Sequence, residues 1–167
     1  RSQDYAILEQ TSRKGHADDV WKAKFSHVDP RGGGRSSGRE TAARVIGGAF
    51  AQMLLKKLSP ATQVIGYTTQ LGELRLSAQD ENNFLQLWEQ QKINSADPFV
   101  ARFPSTTSPV DQESIRKKLE AAREAGESFG GIVQLRIHAP PKNLGQPVFH
   151  KLKADLTSAL MSVRSEE

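Results

Sequence analysis

Arg31, Arg35 and Arg39 fall within nine residues of one another, inside the run Asp29-Pro30-Arg31-Gly32-Gly33-Gly34-Arg35-Ser36-Ser37-Gly38-Arg39-Glu40-Thr41. Guanidinium groups hold phosphate or carboxylate through two hydrogen bonds at once. Three consecutive glycines let the backbone turn tightly and come close to a ligand. Ser36 or Ser37 can cap a helix that starts there. If a ligand takes the capping place instead, the N–H groups at the helix start favour an anion. The chemistry on offer is recognition of phosphate or carboxylate.

Arg39 is the sharpest of the three arginines. On a helical wheel it projects on the same side as Ile46, Phe50 and Met53, which is the apolar side. A guanidinium aimed at a core is costly unless an anion pairs with it. Arg44 points the other way and reads as a solvated surface residue. The plainer readings stay open at this level. A Gly-rich loop with Arg and Ser can be a flexible connector, and Arg39 can pair with Glu40 or a carboxylate elsewhere. Gly33-x4-Gly38 has phosphate-loop spacing, but Arg39-Glu40 stands where Lys-Ser/Thr is required and no apolar strand precedes it. Arg31-Gly32-Gly33 is a single copy of an RNA-tail motif and leads into a helix, which fits nucleic acid poorly.

The four histidines are His16, His27, His138 and His150. No pair has metal-ligand spacing with a third candidate, so no metal is expected. His16 lies beside Gly15 just before a helix start, and a group titrating near neutrality there can serve as an acid or base. An exposed loop histidine explains the same local sequence. His27, His138 and His150 read as surface residues.

The elements around these residues follow from capping and periodicity. Asp18 and Asp19 open a helix that runs to Phe25, with Lys22 and Lys24 late, as the helix dipole prefers. A long helix is predicted from Ser37 to Leu58. Its apolar residues Ala42, Ala43, Val45, Ile46, Ala49, Phe50, Met53 and Leu54 cover half the wheel, which predicts heavy burial. Gln63 to Leu71 reads as a strand, with Leu74–Leu76 extending the sheet, and residues 80–92 as a helix carrying Phe84, Leu85, Leu87 and Trp88. Asn94 to Thr107 is a surface loop. Ser108-Pro109-Val110-Asp111 resembles a capping box for a surface helix ending at Ala125. Phe129 to His138 alternates as a strand, with Val133, Leu135 and Ile137 on one face and Gln134, Arg136 and His138 on the other. A final helix spans Val148 to Val163. Mixed elements without repeats or a linker predict an α+β fold in one domain, 1–167.

Bulk composition narrows the class. Among 167 residues, 37% are hydrophobic and 25% charged, which is the balance of a soluble globular protein. A net charge of +4 suits an anionic ligand but is too small and dispersed to argue for nucleic acid. The absence of cysteine excludes disulfides and thiolate metal sites. No apolar run approaches the roughly 18 residues needed to span a bilayer, and no signal peptide is visible. The chain begins Arg1-Ser2-Gln3 without an initiator Met, which reads as a processed product or a fragment.

A family resemblance rests on motifs in order along the chain. They are Arg1-Ser2-Gln3-Asp4-Tyr5, Arg13-x-Gly15-His16-Ala17-Asp18 and Gly32 to Val45. Gly130-Gly131, Leu144-Gly145-x-Pro147-Val148-Phe149, Ala154-Asp155-Leu156 and Ala159 to Ser162 follow. Together they resemble chorismate synthases from residue 1 to 162, most weakly between 77 and 107. The resemblance implies a β-α-β sandwich in which core helices pack against antiparallel sheets, in a cytoplasmic homotetramer. It implies a 1,4-elimination of phosphate from 5-enolpyruvylshikimate 3-phosphate to give chorismate, dependent on reduced FMN, with NADP as a nucleotide associated with the family. Within it, Arg35, Ser36 and Ser37 match flavin contacts, His16 the proton-handling histidine beside the flavin, and Arg13 and Arg39 the arginines near the anionic substrate. No nucleic-acid or membrane partner is implied.

The departures are specific. Lys14 replaces the family's usual Pro, loosening the turn before His16, and Gly38 replaces the usual Ala. Gln146, His150 and Lys153 stand where acidic residues are common. The resemblance also covers less than half of a typical member. It places a second active-site histidine, further arginines and other flavin contacts outside these residues. The isolated chain is therefore expected to be inactive or nearly so. The other reading of the same resemblance is a non-catalytic remnant that serves as an assembly module.

Overall fold

The computed structural model describes residues 17–29, 37–93, 99–104 and 112–163. These fall into two compact units: Leu58–Lys142, and the remainder, Arg1–Lys57 with Asn143–Glu167. The architecture is α+β, with antiparallel strands in one unit and helices in both.

In the first unit, α1 (Asp18–Phe25) carries Asp18 and Asp19 in its first turn and Lys22 and Lys24 in its last, with Ser26 in a left-handed C-cap. Trp21 and Phe25 stack one turn apart, ring centroids 4.8 Å, as i,i+4 spacing allows. Helix α2 spans Glu40–Leu58. It is preceded by a tight turn in which Glu40, Thr41 and Ala42 donate their N–H groups to the carbonyls of Ser37, Gly38 and Arg39. Helix α5 spans Leu152–Met161, entered through Gly145, whose φ of +82° a side chain would resist.

The heavy burial predicted for α2 is overturned: none of its side chains is buried. Val45, Ile46, Phe50 and Met53 are 60–69% exposed. The wheel identifies a face able to bury, whereas burial needs a partner surface, and periodicity within one helix does not carry that information.

The second unit is built on β1 (Gln63–Leu71), which pairs with β2 (Leu74–Arg75) through a turn at Gly72-Glu73 and with β3 (Gly131–His138), both antiparallel, in the order β2-β1-β3. Helix α3 (Ala78–Glu89) presents Phe84, Leu85 and Trp88 at i, i+1 and i+4, and these pack with Ile65 and Tyr67 into the core. Ser77 caps α3, its hydroxyl accepting from the Asp80 N–H at 3.1 Å. A 3-10 turn, Val100–Arg102, packs against β1. There the Arg102 guanidinium donates to the Gly66 carbonyl at 3.2 Å and the Thr68 hydroxyl to the Ala101 carbonyl at 2.6 Å. Helix α4 (Gln112–Ala125) is largely exposed, as its sequence predicts, and buries Ile115 and Ala122.

The register decides which face of β3 meets the core. Ile65 lies opposite Arg136 and Tyr67 opposite Gln134, so the polar residues of β3 share the core face of the sheet. The apolar residues Val133 and Leu135 lie on the other face and are exposed. His138 is correspondingly engaged: its ring meets Trp88 edge-on at 6.2 Å, and Nδ1 lies 3.3 Å from the Glu89 carboxylate.

Tyr67 is 1% exposed and donates its hydroxyl to Glu81 Oε1 at 2.7 Å. Burial first, then the bond to the Glu81 carboxylate and its charge, push the phenol well above its ordinary value, with Arg136 opposing. An acid raised in the folded state lends stability that is whole below its unfolded value, about 10, and is lost as pH rises beyond it. The melting temperature should therefore fall from pH 9 to 11, and Tyr67→Phe should flatten that fall while lowering stability by about 1–3 kcal/mol at neutral pH. An unchanged alkaline slope in the variant would reject this account.

Candidate functional site

The arginine and serine corner enters the described residues at Ser37. The Ser37 hydroxyl accepts from the Arg39 N–H at 3.2 Å and from Arg39 Nε at 3.3 Å. Local sequence explains this bend, since a Ser side chain two residues ahead mimics a backbone turn and competes with helix. Arg39 precedes the first residue of α2 and is exposed, so it does not enter the core that its wheel position suggests. The N–H groups of Glu40, Thr41 and Ala42, expected to favour an anion, donate to carbonyls of the preceding turn. The polar groups this corner presents besides that turn are side chains, the Arg39 guanidinium and the Ser37 hydroxyl.

Of the remaining predicted site residues, Arg13, His16, Arg35 and Ser36 lie outside the described residues. Two residues beyond His16, Asp18 is buried, 5% exposed, in the first turn of α1. A carboxylate at that end is favoured by the helix dipole. Gly38 has open space where a Cβ would stand, so the alanine usual in the resembling family fits sterically at this position.

Arg44, read from the wheel as merely solvated, has two acceptors. Its Nη1 donates to the Glu40 carbonyl at 3.3 Å and its Nε to the Ser162 hydroxyl of α5 at 3.4 Å. The second contact joins residues 118 apart in sequence, which no local pattern reveals. Among the described residues there is no cluster of three His, Asp or Glu side chains able to hold a metal, and no helix long and apolar enough to cross a membrane. A cavity of about 610 Å³ lies in the second unit, lined by Leu71, Leu74, Ala122 and Phe129 with Lys118 and Glu127.

The family model described as "Chorismate synthase" matches residues 1–166. The chain belongs to the chorismate synthase family. Relatives named chorismate synthase include one from Bdellovibrio bacteriovorus, 48% identical over 98% of this chain and 45% of the relative's length. One from Methanococcus vannielii is 40% identical over 99% of the chain and 44% of its own length. One from Paracoccus denitrificans is 40% identical over 99% of the chain and 42% of its own length. The chain therefore spans less than half the length of these relatives.

Proposed function

We propose that the chain is the central segment of a chorismate synthase, a single domain contributing one wall of a site that eliminates phosphate from 5-enolpyruvylshikimate 3-phosphate. In that 1,4-elimination the C–O bond to phosphate breaks, a ring proton leaves, and a second ring double bond forms. The observation that carries the reading is the family match across residues 1–166, which includes the whole Arg35-Ser36-Ser37-x-Arg39 corner.

Ser37 and Arg39 fit the groups such a site must hold. Arg39 Nε donates to the Ser37 hydroxyl at 3.3 Å, which places beside one another a guanidinium and a hydroxyl whose own proton can go to a phosphate oxygen. Arg35, Ser36 and Ser37 would hold FMN. When bound there, reduced FMN would supply a transient electron that assists the departure of phosphate and is returned to it. Arg13 and Arg39 hold the anionic substrate and offset the charge building on the leaving phosphate. His16 holds and moves a proton beside the flavin position. The complete enzyme in this reading is a cytoplasmic homotetramer.

A second reading, a non-catalytic assembly module of the same fold, is favoured by the exposed apolar row on α2. A transplant separates the two. Residues 1–162 placed in the matching stretch of the Bdellovibrio chorismate synthase should form chorismate when reduced FMN is supplied, and His16→Ala should abolish most of that activity. A folded but inactive transplant would favour the module. The 167-residue chain alone is expected to form no detectable chorismate under the same assay, and turnover by it would overturn the view that it supplies one wall only.

A further inference from the structure

We infer that Arg44 is a positioning residue, which ties the end of α5 to the first turn of α2 and so sets how Ser37 and Arg39 meet an anionic ligand. The inference rests on the proposed roles of those two residues. Arg44 Nε donates to Ser162 Oγ at 3.4 Å, and Ser162 Oγ donates onward to the Ala159 carbonyl at 2.7 Å. The Ser162 N–H donates to the carbonyls of Ser158 and Ala159, so its hydroxyl sits on a formed helix end. That end carries partial negative charge, which favours a cation.

On its other side, Arg44 Nη1 donates to the Glu40 carbonyl at 3.3 Å. The Glu40 N–H in turn donates to the Ser37 carbonyl at 3.1 Å. The path therefore runs from α5 through Arg44 to Glu40 and Ser37, whose hydroxyl holds Arg39. Every link is exposed, so each is weak alone. Their value is directional: a planar guanidinium can serve two acceptors on different elements at once, whereas an ammonium is a point charge on a flexible stem.

The test uses the 167-residue chain and FMN itself, followed by flavin fluorescence. Arg44→Gln and Ser162→Ala should each weaken FMN binding about fivefold, a change of the size expected for losing one hydrogen bond. Arg44→Lys should recover part of the loss, and the double variant should be no weaker than Arg44→Gln alone. The helical circular dichroism should not change. Equal FMN affinity in Arg44→Gln and the parent chain overturns the inference. If Arg44→Gln does not fold, Ser162→Ala, which removes only a hydroxyl, decides in the same way. If the parent chain does not bind FMN, that result counts against the flavin role of Ser37 in this chain. Amide exchange then decides the positioning role: protection of Glu40, Thr41 and Ala42 must fall in both variants relative to Phe50 to Leu54, and unchanged protection overturns it.

Discussion

Replacing Trp88 by alanine is expected to lower the stability of the second unit by about 3–5 kcal/mol, a large part of what a domain of this size possesses. Trp88 is 2% exposed and is the largest of the fully buried side chains. It packs with Ile65, Tyr67, Phe84 and Leu85, and the His138 ring stands edge-on to it. Alanine would leave a cavity that neighbours fixed on a strand and a helix cannot close. Urea unfolding followed by circular dichroism measures the change. Trp88→Phe, which keeps an apolar ring, should lose distinctly less. A midpoint unchanged by the alanine variant would show that this cluster is not the core of the unit.

The second large effect concerns Arg39. In the transplanted enzyme, Arg39→Ala should reduce kcat/KM by about tenfold to several hundredfold, the range for losing a charge-assisted hydrogen bond to an anion. Arg39→Lys keeps the charge and loses the fork, and should fall between. Ser37 Oγ, which accepts from Arg39 at both N and Nε, remains in each variant, so the loss isolates the guanidinium. Steady-state kinetics with varied 5-enolpyruvylshikimate 3-phosphate would read it. Parent-like kcat/KM in Arg39→Ala would remove this residue from the substrate site.

Much of the local structure could be read from sequence, and the reasons are local. Asp18–Phe25 and Gln63–Leu71 begin and end where charge order and a run of β-branched and aromatic residues place them. Helix α3 starts at Ala78, two residues earlier than apolar periodicity alone suggests. The signal was present in Ser77 and Asp80, three apart, as a capping box requires. What local pattern could not supply is partnership. The apolar row of α2 and the two faces of β3 were both identified, but which of them is covered depends on register and on packed neighbours. The same limit hid the contact between Arg44 and Ser162. At the candidate site, residue type gave the anion chemistry of Ser37 and Arg39. Their mutual hydrogen bonds, and the use of the first helical N–H groups within the entry turn, came only from the structure.

The sheet has a consequence for how the chain acquires its structure in time. Strand β1 finds β3 only across a long interval, since even the nearest pair, Leu71 with Gly131, is about sixty positions apart. Closing such a loop opposes folding by about 4 kcal/mol of chain entropy before any ladder bond forms. On a ribosome adding roughly 5–20 residues per second, β1 waits on the order of ten seconds for its partner. The 3-10 turn at Val100–Arg102 emerges earlier and bonds to Gly66 and Thr68 of β1. During synthesis it can act as a temporary guard, covering the middle of the strand against other nascent chains while β3 is still unmade.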